Sequence, residues 1–392
     1  MDSDLDFDEF AAELVSRLSA KMPDKHVKLD SSGHLIRHDN ARIGLASLFR
    51  MYQETPVEMR QQEMDRFVDI LCQANQYFES PESEVFADIA PQIHAKLWPR
   101  SIIAVQQLPI PFCLIGEHLV LSIVRDLGDS MATVSWDNIH QWGVTFEAAL
   151  KVGLENVDKN TSLMGNKRKD GPGHCSTATR DNYDSVRFLT EKPYEQFRIG
   201  FPRWAFAPSR DACVMAQADM TNDLEFEVEN VLEMADGDPK PLAPFPLVNY
   251  GKGWEIWNPE PGTKIAKLLS KRQHDYKMSL YAEQLLHLRA SSPERLDFVA
   301  IEHLEYDEAN SCGDLFRTKT HWEYQSETLL PQADSVVFLG RDGLTVSWTN
   351  LVEILDGHLS PAENLYPPRW RTSGLLSDAE FAKLAAIGIH PK

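Results

Sequence analysis

Asp181, Tyr183, Asp184 and Arg187 bring two carboxylates, a phenol and a guanidinium into seven residues. If 183–189 is helical, Tyr183 and Arg187 stand at i and i+4, and Asp184 and Arg187 at i and i+3, so the three share a face. Arg187 would then offer a planar donor fork to a carboxylate or phosphate. Asp184 would hold the fork in orientation, and Tyr183 would stand one turn away as a donor or stacking face. His174, in the polar stretch before it, is an accessory. This set is the candidate binding site for an anionic group of a ligand or partner. The competing reading is architectural: Asp181 caps a helix start, and Arg187 pairs with Asp184 or bridges to the next strand.

The other reactive-looking residues carry less. Gly171-Pro172-Gly173-His174-Cys175 places a thiol beside an imidazole, and a nearby base lowers a thiol pKa. Sequence neighbours point apart, however, and no third group is in sight. The Gly-x-Gly lacks the leading strand and the following Lys-Ser/Thr of a phosphate loop. Thirteen histidines include the pair His34 and His38, four apart, but alternation makes their segment strand and loop. No ligand spacing for a metal results, and no cofactor is implied. Lys167-Arg168-Lys169 reads as a solvated basic run. Tyr366-Pro367-Pro368-Arg369-Trp370-Arg371 reads as a stiff strap folding Trp370 onto the C-terminal part, or as a display of Trp370 to a partner.

Composition narrows the classes. With 39 Lys and Arg against 59 Asp and Glu, the charge is −20, which opposes a nucleic-acid-coating role. The first nine residues hold five carboxylates and no base, unlike a secretory leader. No run approaches the ~18 apolar residues of a membrane span. Five scattered cysteines, an odd number with no C-x-x-C, read as reduced thiols. The expectation is a soluble cytoplasmic protein with no membrane partner.

Periodicity gives the elements that must position these groups. Phe7, Phe10, Ala11, Leu14, Val15 and Leu18 form a helical stripe. Alternation around Ser31-Ser32-Gly33 predicts a hairpin, and Thr55-Pro56-Val57-Glu58 a helix start. Ile93–Val105 is read as strand-like, and Leu119–Val124 with Ala132–Trp136 as a hairpin. Phe146, Ala149, Leu150, Gly153, Leu154 and Val157 mark another helix. Asp158–Thr179 lacks periodicity and is read as a surface loop. Trp204–Ala207 and Ala212–Ala218 form a further hairpin, followed by a helix through Ala235. Pro259-Glu260-Pro261-Gly262 is the expected domain boundary, and Lys264–Leu288 one long helix. Thr133-Val134-Ser135-Trp136 recurs at Thr345-Val346-Ser347-Trp348, each with an Asn two residues on; chance among hairpins is the preferred account.

Asp126-Leu127-Gly128, Trp142-Gly143-Val144-Thr145 and Leu154-Glu155-Asn156-Val157 occur in an order that resembles the YtpQ-like bacterial proteins, the domain of unknown function 1444 group. Asp181-Asn182-Tyr183-Asp184-Ser185-Val186-Arg187-Phe188-Leu189 is similar to that group's "NDGYDASRIL" segment, with Asn182 where the group favours Gly. The resemblance spans roughly residues 7–258. It implies a bacterial cytoplasmic α+β protein and transfers no catalytic residue.

The resulting expectation is an α+β protein, with antiparallel hairpin-built sheets on amphipathic helices. Residues 1–258 form one module, with a loop at 158–179, and residues 263–392 a second. The leading function is a non-catalytic binding or accessory role with a protein or peptide partner, or with an anionic small molecule. The rival is a hydrolase or transferase whose site forms only in three dimensions, around Asp181, Tyr183, Asp184, Arg187, His174 and Cys175. An enclosed pocket with perturbed carboxylates would favour the rival. A shallow apolar surface rimmed by charge would favour the first.

Overall fold

The computed structural model describes residues 5–29, 35–38, 41–79, 85–106, 109–128, 131–166, 173–219, 221–235, 242–291, 297–305, 316–323, 326–339, 343–372 and 376–389. The turn at Ser31–Gly33, the run Lys167-Arg168-Lys169, Gly171-Pro172 and Cys312 lie outside them. The protein is α+β. It divides into two compact units, 1–99 with 108–257, and 100–107 with 258–392.

The first unit opens with α1 (Phe7–Lys21), started by a capping box in which Asp6 accepts from the Glu9 N–H and Glu9 from the Asp6 N–H. A three-stranded antiparallel sheet follows, β1 (Lys28–Leu29), β2 (Leu35–His38) and β3 (Ala41–Gly44), then α2 (Ala46–Glu54) and α3 (Arg60–Glu79). Phe10, Leu14 and Leu18 of α1 meet Tyr52, Met64, Phe67 and Val68 in one apolar cluster.

The short α4 (Phe86–Ile89) leads into β4 (Ile93–Pro99). The segment Ile93–Val105 is thus not all strand: α5 (Arg100–Gln106) replaces its second half and belongs to the other unit. Next come β5 (Cys113–Ile115), β6 (Leu119–Asp126) and β7 (Met131–Thr133). Strand β6 is central, pairing antiparallel with β4, β5 and β7. Trp136 is not in the returning strand, because Ser135 caps the helix α6 (Trp136–Trp142) by accepting from the Asn138 N–H. Gly143, at φ 65°, ends α6 in the left-handed region, and α7 (Phe146–Lys159) begins after it. Phe146, Ala149, Ile93, Ile123, Val134 and Ile139 share a core between these helices and the sheet.

Asp158–Thr179 is not a plain loop. Asp158 and Lys159 finish α7, and β8 (Leu163–Asn166) pairs with β9 (His174–Thr177). Polar residues dominate here because the two strands lie at one end of a six-stranded sheet, β8 being its edge. A 3-10 helix (Asp184–Leu189) and α8 (Lys192–Phe197) then precede β10 (Arg203–Ser209), β11 (Ala212–Gln217), α9 (Thr221–Ala235), β12 (Leu247–Asn249) and β13 (Trp254–Ile256). The sheet order is β13-β12-β10-β11-β9-β8.

The second unit contains α5, the long α10 (Lys264–Ser291), and two four-stranded sheets. Their strands are β14 (Asp297–Phe298), β15 (Ile301–Glu305), β16 (Phe316–Trp322), β17 (Thr328–Pro331), β18 (Ser335–Phe338), β19 (Thr345–Ser347), β20 (Leu359–Pro361) and β21 (Arg369–Thr372). α11 (Trp348–Ile354) and α12 (Asp378–Ile387) pack on Trp322, Val336, Phe338 and Val346. Hairpins do not account for every pairing, since β14–β17 and β16–β18 run parallel. Trp370 packs partly into this core, 6.0 Å from the Trp348 ring, as the strap reading expects.

Helix α7 lies close on β4. A Cβ built on Gly153 would stand 2.7 Å from the Ala95 nitrogen, so only glycine allows the approach. Buried Asn156, one turn on, donates to the Ala90 and Ile93 carbonyls at 2.7 and 2.8 Å. Gly153→Ala should therefore destabilise the unit by about 1–3 kcal/mol through overpacking, although alanine is the better helix former by about 1 kcal/mol. A urea midpoint at or above wild type would disprove this packing.

Candidate functional site

The site segment starts with a turn whose backbone is unusual. Arg180 and Asn182 have φ of 55° and 66°. Side chains rarely adopt such angles, and asparagine tolerates them best. Asp184 holds the turn, accepting from the Thr179 and Arg180 N–H groups at 3.3 and 2.7 Å. Asp181 accepts from the Tyr183 N–H at 3.1 Å, and Asp211 from the Asn182 N–H at 2.9 Å. The segment then continues as a 3-10 helix rather than an α-helix, so the expected i, i+4 partnership of Tyr183 and Arg187 does not form.

Arg187 is fully buried. Its Nη1 donates to Asp181 and Asp184 at 2.9 and 2.7 Å, Nη2 donates to Asp181 at 2.7 Å, and Nε donates to Thr161 at 3.0 Å. This corrects the expected surface fork. The guanidinium is enclosed by its own chain and spent on two carboxylates and a hydroxyl, so it has no face for a ligand anion. Asp184 is also enclosed, and burial pushes its carboxyl up against the opposing Arg180 N–H and Arg187. Asp181 keeps a third of its side chain exposed. Burial raises its carboxyl too, but the Arg187 hydrogen bonds and charge outweigh this and hold it below its ordinary value.

Tyr183 points elsewhere. Its hydroxyl donates to Asp126 at the end of β6, at 2.8 Å, and its ring stacks on His94 at 4.7 Å. Burial and the Asp126 carboxylate push the phenol far up, so it serves as a donor and not as an acid or nucleophile. Lys96, two residues along β4 from His94, is 4% exposed and lies over the Trp98 and Tyr183 rings at 5.1 and 5.9 Å. Sequence reading missed Asp126, His94 and Lys96 as partners, because Asp126 lies 57 residues from Tyr183 with no local signal.

His174 is not part of this group: its Nε2 faces Glu227 of α9 at 3.7 Å. Cys175 is buried, and burial pushes its thiol up to about 12, which removes the activated-thiolate reading. Among the described residues, no three of His, Cys, Asp and Glu are placed to hold a metal ion, and no helix is long and apolar enough to cross a membrane.

A second feature lies where this segment meets α7. Thr190 donates to Asp158 at 3.0 Å, and Lys192 donates to the Asp158 carbonyl at 2.9 Å. With the Arg187–Thr161 bond, these fix the Thr190–Glu191 corner beside the helix. Between them runs a groove of about 350 Å³, lined by Glu147, Leu150, Lys151, Leu154, Glu155 and Asp158 of α7 and by that corner. The α7 residues repeat at i, i+3, i+4, i+7, i+8 and i+11, one continuous helical stripe. Phe146, Ala149, Gly153, Asn156 and Val157 are buried, which leaves Leu150 and Leu154 half-buried in the groove. Arg203 fixes the far wall: it grips both oxygens of Glu191 at 2.7 and 2.6 Å and lies 4.0 Å over Tyr194 and 4.4 Å over Phe201. That grip holds the Glu191 carboxyl below its ordinary value. No separate signal marked this groove in the sequence: Leu150 and Leu154 belong to the same i, i+3, i+4, i+7, i+8, i+11 stripe as the buried residues, the spacing that α1 also has.

Comparison with known proteins gives no matching family model, no matching curated protein and no matching solved structure.

Removing the Arg187 charge strands two carboxylates. Arg187→Met should cost about 3–5 kcal/mol, on the order of 10 °C in melting temperature for a unit this size, and Arg187→Lys should cost less but clearly more than a surface change. Calorimetry of the two variants decides, and melting within a degree of wild type would refute the enclosure. The Asp181 contribution has a definite pH sign. Its folded pKa lies below the ordinary 3.8, so the stability it adds is complete above that value and is lost as pH falls through the folded pKa. The gap between wild type and Asp181→Asn should therefore be constant from pH 7 to about 5 and close below 3.8. A gap that widens on acidification would contradict the assignment.

Proposed function

We propose that this chain is a non-catalytic binding or accessory protein that works through a protein or peptide partner, with the α7 groove as its docking surface. One observation carries the reading: the groove is open, has an apolar floor of Leu150 and Leu154, and is rimmed by Glu147, Lys151, Glu155, Asp158 and Glu191. Shallow apolar surface with a charged rim is the usual character of a protein contact. The groups that favoured an anion site support it indirectly. Arg187, Asp181 and Asp184 satisfy one another and brace the groove wall through Thr161 and Thr190. Kinship with the YtpQ-like group and a cytoplasmic location belong to the same proposal. The kinship rests on the Asp126–Gly128, Trp142–Thr145 and Leu154–Val157 stretches and on the Asp181–Leu189 segment, whose Asn182 has the positive φ that the group's glycine would adopt freely.

The test is a photo-crosslinking residue at Leu154, expressed in the cells the protein comes from, with one at exposed Lys252 as the control. The expected result is a dominant protein adduct at 154, identified by mass spectrometry. Adducts no stronger at 154 than at 252 would remove the groove as a docking surface.

A further inference from the structure

We infer that the occupant of the α7 groove is a basic amphipathic helix: a partner segment with apolar side chains at helical spacing, flanked by lysine or arginine. The inference rests on the docking reading above and narrows it to one partner chemistry.

The floor sets the shape. Leu150 and Leu154 stand one turn apart on α7, so the apolar strip runs along the helix axis. A helix laid alongside would present anchors at i, i+3 or i+4, and i+7 to such a strip. The volume of about 350 Å³ is near the bottom of the range for ligand pockets, roughly 300–1,000 Å³. It holds a few side chains, not a folded surface.

The rim sets the charge. Glu147, Glu155 and Asp158 face the groove from α7 against Lys151; the Thr190 hydroxyl takes one Asp158 oxygen and Lys192 sits at the Asp158 carbonyl, so Glu147 and Glu155 carry most of the rim charge. Glu147 has no ion pair among the described residues, and Lys151 reaches Glu155 only loosely, at 4.0 Å. Glu191 is already held by Arg203, so the far wall adds little free charge. Glu147 and Asp158 end the stripe roughly 16 Å apart along the axis, from a rise of about 1.5 Å per residue. A three-turn helix with a cation near each end would meet both. A second copy docked groove to groove is a poor occupant, since it would set the same carboxylates against each other in a protein of charge −20. Two leucines also offer far less than the roughly 800 Å² per partner of a stable interface.

The probe is a fluorescent sixteen-residue helix of Leu, Ala and Lys, with leucines at i, i+3, i+4 and i+7, titrated by anisotropy against the full chain. Its counterparts are the same peptide with Glu for Lys, and a scrambled peptide of equal charge. The lysine helix should bind at least about tenfold more tightly than either, and more weakly as salt rises. Glu147→Lys with Glu155→Lys, both at exposed positions, should reverse the preference toward the glutamate helix. That gain of binding cannot come from misfolding. Equal binding of the scrambled and ordered lysine peptides would reduce the effect to attraction by net charge and overturn the inference. So would an unchanged preference in the double variant. Leu154→Asn, which removes the apolar contact without adding charge, separates the two levels. If it abolishes peptide binding while charge reversal has no effect, the groove docks a partner but not a basic one. If Leu154→Asn leaves binding unchanged, the peptide is not in the groove and the inference fails. No binding by any peptide, with an adduct at 154 in cells, would overturn the basic helix and leave the docking reading standing.

Discussion

The buried Arg187 guanidinium is the interaction on which the architecture around the groove depends. A charge taken out of water is costly unless its partners are fixed and complete. Here Asp181, Asp184 and Thr161 supply them, and the two carboxylates also accept from the backbone of a turn with two positive-φ residues. One charged group thereby holds the strained turn, the 3-10 helix and the end of α7 together. The strain and the ion group support each other, since relaxing the turn would withdraw the carboxylates from the guanidinium. The Thr190–Glu191 wall stands where it does because the segment before it is pinned in this way.

The second unit handles the same problem differently. Arg369 is also fully buried, but it donates to Gln284 and to the Val299 and Leu329 carbonyls, with no carboxylate partner among the described residues. Burial lowers its pKa to about 10, which leaves it charged at neutral pH. Tyr281 and Gln284 of α10 hold the Pro367–Pro368 carbonyls beside it. The strap is thus anchored by hydrogen bonds from one helix, while Trp370 closes on Trp348.

The repeated Thr-Val-Ser-Trp is a local structural device in both units. Each copy runs from a strand into a serine N-cap and a helix beginning at the tryptophan, with the cap accepting from the asparagine N–H three residues on, at 3.2 Å for Ser135 and 3.4 Å for Ser347. Val134 and Val346 are both buried beside it. The surrounding sheets differ, one antiparallel around β6 and the other with a parallel β16–β18 pair. The likeness therefore extends over a strand-to-helix corner, which is as far as a hydroxyl cap and a buried valine can specify structure.

What the sequence determined by itself was local. Spacing of Phe10, Leu14 and Leu18 marked α1, the apolar run Leu119–Val124 marked a strand, and the spacing from Phe146 to Val157 marked α7. These signals need only neighbours within a turn or two. Tertiary structure decided the rest. It turned the polar stretch after α7 into two strands, because the backbone of a sheet edge can pair while its side chains stay wet. It made 184–189 a 3-10 helix and enclosed Arg187, because Thr161 lies 26 residues away and was invisible as its partner. It also divided the apolar stripe of α7 into a buried and a half-buried part. The backbone contact at Gly153 fixes which side of the helix meets β4, and that choice left Leu150 and Leu154 in the groove.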